Sequence, residues 1–124
     1  MVANVPTELA ILYEEARAST AAGAHTAAVL VCRKMLMNIA VALGDTPEPG
    51  KTFVKYIQYL KDHGYIPPKG DQWVDYIRKR GNEATHEIAL MQQSDAETLI
   101  TFVGMLLRIV YEFPAAVPSP APMP

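Results

Sequence analysis

The stretch from Thr26 to Leu43 limits the possible folds most, because it is apolar on almost every side of a helix. Its only strongly polar residues are Arg33, Lys34 and Asn38. A helix of this kind has to be surrounded by other elements, so it belongs in the middle of a bundle. We therefore predict a helix over about 24–43 at the centre of an all-α protein.

Glycines, prolines and helical spacing of apolar residues divide the rest of the chain into four more helices. No segment has the alternating pattern of a strand, and the short connections predict an antiparallel up-and-down bundle of four to five helices. The predicted helices begin near Pro6, span about Lys51–His63, begin at Asp71, and run from the capping-box spacing Ser94–Glu97 to about Phe113.

The C-terminal eleven residues differ from the rest, because five of them are proline. We predict a helical domain over 1–113, ended by Pro114, and an extended polyproline tail over 114–124. The simpler interpretation of this tail is a linker or a frayed end. The alternatives are a ligand for an aromatic groove or an arm on a neighbouring subunit.

Charge is sparse, at 19% of the 124 residues, and the net charge is −2 with a pI of about 5.9. A surface short of charge is typical of a protein that covers apolar area with a partner, so we expect a homodimer. The acidic balance argues against broad electrostatic binding of nucleic acid and leaves room only for a local basic patch.

Location is predicted from the single cysteine and the apolar runs. Cys32 lies in an apolar run and indicates a buried thiol in a reducing compartment. The two most apolar runs are interrupted by Arg33 and Lys34 and by Arg108, so neither predicts a membrane span. Met1–Pro6 lacks the features of a signal peptide. We expect a cytoplasmic protein with no membrane partner.

The segment 77–86 is the candidate site, because two arginines, a lysine, an amide and a histidine lie within ten residues there. On an unbroken helix Arg78, Asn82 and His86 share one face, since residues four apart are neighbours. Arg80 then lies about 120° around the helix from His86. The segment predicts a site for a phosphate, with Lys79 as a further cation. The alternative is a solvated basic face whose histidine bonds a neighbouring helix.

The core side of the same helix is predicted from its apolar residues, Trp73, Ile77, Ala84 and Ile88. The three histidines have no partner at a metal-ligand spacing. We therefore expect neither a metal nor another cofactor.

The order and spacing of several short pieces resemble the HEPN superfamily, named for nucleotide binding in higher eukaryotes and prokaryotes. More closely, the chain is similar to a bacterial HEPN-like branch known as a domain of unknown function. The resemblance covers Pro6 to Tyr111. Its pieces are Tyr13–Ala16, Ala27–Arg33, Ile57–Leu60, Gly64–Ile66, and Ile77-Arg78 with Gly81–His86.

The resemblance implies a catalytic pair. Active members have an arginine four to six residues before a histidine and are metal-independent ribonucleases that act as dimers. Arg80 and His86, with five residues between them, match that spacing. By analogy, His86 would move the proton of a ribose hydroxyl or of the leaving oxygen, and Arg80 would stabilise the charged phosphate.

Three hypotheses follow. In the first, an HEPN-like homodimer binds an RNA or nucleotide phosphate, or a protein partner, through Arg78, Lys79 and Asn82 without demonstrated catalysis. In the second, the protein is a metal-independent endoribonuclease of toxin or defence type that uses Arg80 and His86. In the third, the bundle is a plain scaffold.

Overall fold

The protein is built from helices that follow one another along the chain. The computed structural model describes residues 2–44, 53–76, 79 and 90–117, without the side chain of Pro68. None of these residues lies in a strand, so the all-α prediction is confirmed. The helices are α1 (Thr7–Ala21), α2 (His25–Ala42), α3 (Phe53–Asp62), α4 (71–76 of the described chain), α5 (Gln93–Leu107) and α6 (Phe113–Ala116).

Helix α2 lies at the centre of the described bundle and packs against α1, α3 and α5. Seven of its eighteen residues are buried, and five of these seven have side chains larger than alanine. The prediction of a central second helix is therefore confirmed. Its buried residues are Ala28, Val29, Cys32, Met35, Leu36, Ile39 and Ala40.

Each surrounding helix buries one apolar stripe in the core. The apolar stripe of α3 is buried in full, namely Phe53, Tyr56, Ile57 and Leu60. On α4, Val74 is fully buried and Trp73 is half-buried. The other residues of the predicted α4 stripe lie outside the described chain. The buried apolar side chains of α5 are Ala96, Leu99, Phe102, Val103, Leu106 and Leu107.

Two of the predicted helix ends are glycines in the left-handed region. Gly44 follows α2 with φ 117°, and Gly64 follows α3 with φ 79°. A side chain disfavours this conformation, whereas glycine adopts it without a steric cost. Both glycine stops therefore occur where the sequence predicted them.

The C-terminal part departs from the single helix predicted to end at Phe113. After α5 the chain makes a π-helical turn over Arg108–Glu112 and continues as α6. Pro114 lies directly after this turn, and the backbone is helical before it, at Glu112 and Phe113, and after it, up to Ala116. The prediction that Pro114 ends the helix is therefore wrong, and the predicted tail is helical up to Ala116. Residues 118–124 lie outside the described chain.

The N-terminal residues contact this π-helical turn. The backbone N–H of Ala3 donates to Oε2 of Glu112 at 2.7 Å. Val2 and Val5, which lie on either side of Ala3 in the sequence, pack against the core. These contacts attach the start of the described chain to its last helices.

Two helical stretches are long and apolar enough to cross a membrane by length and composition: His25–Ala42 and Gln93–Ala116. Core helices of a bundle pass the same test, and both stretches supply buried side chains to this core. Membrane spanning is therefore only weakly indicated.

Burial makes Cys32 a packing residue. Its side chain is fully buried in α2, and burial raises the pKa of the thiol to about 12. A thiol that stays protonated is a poor nucleophile. The predicted burial of Cys32 is therefore confirmed.

Helices α1 and α5 approach closely at Gly104. A methyl group placed on Gly104 would lie 2.6 Å from the hydroxyl oxygen of Tyr13 and 3.5 Å from its Cζ. The first distance is a clash and the second an ordinary contact. The hydroxyl of Tyr13 therefore requires a glycine at this position.

We expect Gly104→Ala to lower the free energy of unfolding by about 1–3 kcal/mol, because the methyl group displaces the Tyr13 ring. In a Tyr13→Phe background the clash is gone, and the same change should be neutral or stabilise by up to about 1 kcal/mol through helix propensity. Urea unfolding of the four proteins in this double-mutant cycle measures both values. An equal cost in both backgrounds would contradict the proposed contact.

Candidate functional site

The structure describes the residues that flank the candidate segment, up to Tyr76 on one side and from Leu90 on the other, and one of its predicted site residues. Lys79 is described, is helical and is exposed to solvent. Arg78, Arg80, Asn82 and His86 lie outside the described residues. The stripe and the angles predicted for these four side chains therefore stay predictions.

The start of the segment is fixed by α4. A salt bridge of 2.9 Å joins Nζ of Lys61 on α3 to Oδ1 of Asp71 at the beginning of α4. Val74 is buried in the core, and the hydroxyl of Tyr76 donates a short hydrogen bond to Oδ1 of Asp95. The chain therefore enters the segment with its last described turn attached to the N-terminus of α5.

The end of the segment is fixed at Met91. The backbone N–H of Met91 donates to Oγ1 of Thr26 at 2.9 Å, and the Met91 side chain is buried. Thr26 lies in the first turn of α2. The described residues before and after the candidate segment thus lie close to the N-termini of α5 and α2, respectively.

Asp95 accepts hydrogen bonds from Tyr76 before the segment and from Gln92 after it. It is the only buried charged residue of the described chain. Its Oδ2 accepts the backbone N–H of Gln92 at 2.9 Å, so the capping box begins at Gln92. The predicted box, Ser94–Glu97, is wrong because α5 starts one residue before Ser94. Glu97 bonds the side chain of Gln93 instead, at 2.8 Å.

Arg33 is a cation in a partly apolar environment. Its guanidinium carbon lies 4.9 Å from the centroid of the Phe53 ring, which is a cation–π contact. Burial lowers the pKa of this guanidinium from its ordinary value. Its Nε is buried without a hydrogen-bond partner, and no ion pair of Arg33 occurs within the described chain. Glu14 on the neighbouring α1 pairs with Arg17 at 3.2 Å.

The described histidines are not placed as metal ligands. Nδ1 of His63 bonds the backbone carbonyl of Tyr59, and the two rings stack with centroids 4.0 Å apart. Nδ1 of His25 is buried without a hydrogen-bond partner. Over residues 2–44, 53–76, 79 and 90–117, no three His, Cys, Asp or Glu side chains are grouped to hold a metal ion.

Two contacts that shape this region were not predicted from the sequence, namely Tyr76–Asp95 and Arg33–Phe53. Both join residues about twenty positions apart on different helices. For the Tyr76–Asp95 contact, the available sequence signal was the carboxylate of Asp95, which falls within the apolar stripe at the start of α5.

Helix content and packing place the protein among all-α bundles. A family model described as a domain of unknown function, DUF4145, matches residues 14–119, and the chain belongs to this family. No curated protein and no solved structure matches the chain significantly.

We expect Asp95→Ala to lower the free energy of unfolding by about 2–3 kcal/mol, because it removes the cap of α5 and the acceptor for Tyr76. Tyr76→Phe, which keeps the ring, should cost about 1 kcal/mol. Urea unfolding followed by circular dichroism measures both.

Glu97→Ala is the matched control, since Glu97 is exposed and bonds only a surface side chain. Its effect should stay within about 0.5 kcal/mol. An Asp95→Ala protein as stable as the Glu97→Ala protein would show that Asp95 does not hold these elements together.

Proposed function

We propose that the protein is an HEPN-like module that binds the phosphate of an RNA or nucleotide through the segment around Arg78, Lys79 and Asn82. The observation that carries the proposal is the density of phosphate-binding groups there in a protein of net charge −2. A guanidinium binds two phosphate oxygens at once, and lysine and asparagine add single donors.

Two features of the described chain support this assignment. Lys79 is exposed, as a phosphate contact has to be. The residues flanking the segment are attached to the bundle through Tyr76 and Met91, so a binding segment between them has fixed ends. Fixed ends lower the entropy that is lost when a ligand is bound.

The proposal includes a homodimer in the cytoplasm. The low proportion of charged residues favours a surface that a partner covers. The HEPN resemblance implies, by analogy, that this partner is a second copy of the chain. The buried single thiol is compatible with a reducing compartment. A protein partner at the same segment is the alternative ligand, and the binding experiment below separates the two.

Metal-independent RNA cleavage is the second candidate function. The spacing of Arg80 and His86 favours it, since five residues separate them as in active HEPN ribonucleases. In that case His86 would act as general base or acid and Arg80 would stabilise charge on the phosphate.

We expect the purified protein to raise the fluorescence anisotropy of a labelled single-stranded oligoribonucleotide at low salt. Arg78→Ala and Arg80→Ala should each weaken this binding about three- to tenfold and reduce the slope of log affinity against log salt by about 0.7. The slope reports how many phosphates are neutralised, because each contact releases counterions.

Lys55→Ala is the matched control, since Lys55 is an exposed cation on α3 that is not part of the segment. It should leave both the affinity and the salt slope unchanged. No binding by the wild-type protein, or equal losses in the control and the arginine variants, would refute phosphate binding at this segment and favour the protein partner.

The cleavage hypothesis has its own test. Wild-type protein incubated with RNA in the presence of a chelator should release fragments that end in a cyclic phosphate, and Arg80→Ala and His86→Ala should abolish the release. Intact RNA with the wild-type protein would rule out cleavage and leave the binding proposal in place.

A further inference from the structure

A groove of about 580 Å³ lies between α1, α2 and the π-helical turn that follows α5. Its lining is mostly apolar and includes Leu9 and Leu12 from α1 and Val41 and Ala42 from α2. Tyr111 of the π-helical turn lines the same groove. A concave, mostly apolar surface of this size is typical of a binding site.

The groove also carries hydrogen-bond donors. Lys34 and Asn38 lie one helical turn apart on α2, and Tyr111 adds a phenol hydroxyl. None of these three side chains forms a hydrogen bond or an ion pair within the described chain. Burial raises the pKa of the Tyr111 hydroxyl, which therefore stays protonated and able to donate. The groove thus suits an occupant that is apolar and rich in hydrogen-bond acceptors.

The charges of the groove disfavour a charged occupant. Glu8 lines the same groove as Lys34, and both side chains are exposed. An occupant with a net charge of either sign would meet a like charge there, and the repulsion would offset the attraction to the opposite charge. The occupant that fits best is therefore uncharged.

The end of the chain has this chemistry. Residues 118–124, here called the distal tail, contain four prolines and no ionisable side chain. Since proline has no backbone N–H, these seven residues have seven backbone carbonyls and only three backbone N–H groups. The composition predicts a polyproline II helix, which makes no internal hydrogen bonds and leaves its carbonyls free for external donors.

The distal tail also begins near the groove. Val117, the last described residue, is six residues beyond Tyr111, which is at most about 9 Å along the helix. Its φ of −74° and ψ of 124° are close to polyproline II values. Seven such residues span about 22 Å, whereas the groove runs about 12 Å along α2 from Lys34 to Ala42. The distal tail is therefore long enough to reach the groove and to run along it.

We propose that the distal tail docks in the α1–α2 groove of its own chain as a polyproline II arm. Its prolines pack against Leu9, Leu12 and Val41, and its carbonyls accept hydrogen bonds from Asn38 and Tyr111. Docking covers Val41, which is 37% exposed in the described bundle. Because the tail is attached to the bundle, it competes at a high effective concentration with any other ligand of this face. The proposal does not depend on phosphate binding by the segment around Arg78.

Paramagnetic broadening of methyl resonances tests the proposal on the full chain. Ala121→Cys provides a site for a nitroxide, and Cys32 stays unlabelled because it is fully buried and burial raises its pKa to about 12. The methyl signals of Leu12 and Val41 should lose most of their intensity. The methyl signal of Met91 should keep its intensity, because Met91 is bonded to Thr26, about 22 Å along α2 from Val41.

Two variants of α2 form a matched pair. Val41→Glu should reduce the ratio of docked to free tail about tenfold, because proline rings offer no donor to a buried carboxylate. Leu30→Glu is the control, since Leu30 is similarly exposed, at 41%, on the same helix and does not line the groove. It should change the ratio by less than about twofold. Tyr111→Phe, which removes one donor, should reduce the ratio about threefold.

A mixed sample distinguishes a chain's own tail from that of a neighbour. Isotope-labelled protein without a nitroxide is mixed with unlabelled protein that carries it, and the groove signals should keep their intensity. Broadening in this mixture would overturn the proposal and favour an arm on a neighbouring subunit. Unbroadened groove methyls in the directly labelled protein would instead favour a linker. Equal losses at Met91 and Val41, or equal effects of Val41→Glu and Leu30→Glu, would also refute docking in the groove.

Discussion

The burial of α2 against three neighbouring helices is the constraint on which the other packing depends. An apolar helix of eighteen residues needs cover on several sides, and α1, α3 and α5 provide it. Each neighbour therefore turns its apolar stripe inwards and its polar residues outwards. The exposed edge of α2, with Lys34 and Val41, is the side that this arrangement leaves open.

Features that depend on local pattern were predictable from the sequence. The stripe of α3 and the stops at Gly44 and Gly64 follow from helical spacing and from the left-handed preference of glycine. The C-terminal path was not predictable in the same way. Proline usually ends a helix, but here a π-helical turn directly precedes Pro114 and the helical backbone continues past it to Ala116.

The contacts around the candidate site were harder to predict, because they join distant positions. Nothing local to Asp95 indicates that Tyr76 will reach it, or that Phe53 will lie under Arg33. Such pairs follow from how the helices pack. The sequence could therefore nominate the segment around Arg78–His86 from its composition, while the attachment of its ends required three-dimensional information.

The attachment point of the candidate segment and the open edge of α2 lie at different places along this helix. Thr26, which holds the end of the segment, lies in the first turn of α2, whereas Lys34 and Val41 lie in its second half. About eight residues of helix, or roughly 12 Å, separate Thr26 from Lys34.

The position of Cys32 gives the chain a built-in reporter of conformational opening. Its sulfur lies in the middle of the central helix and is unavailable to reagents while α2 keeps its neighbours. Alkylation requires both access and a thiolate, so the labelling rate follows how often the bundle opens. Because the chain has one cysteine, the labelling rate measures the opening of the bundle at Cys32 alone, without an introduced dye or a second mutation.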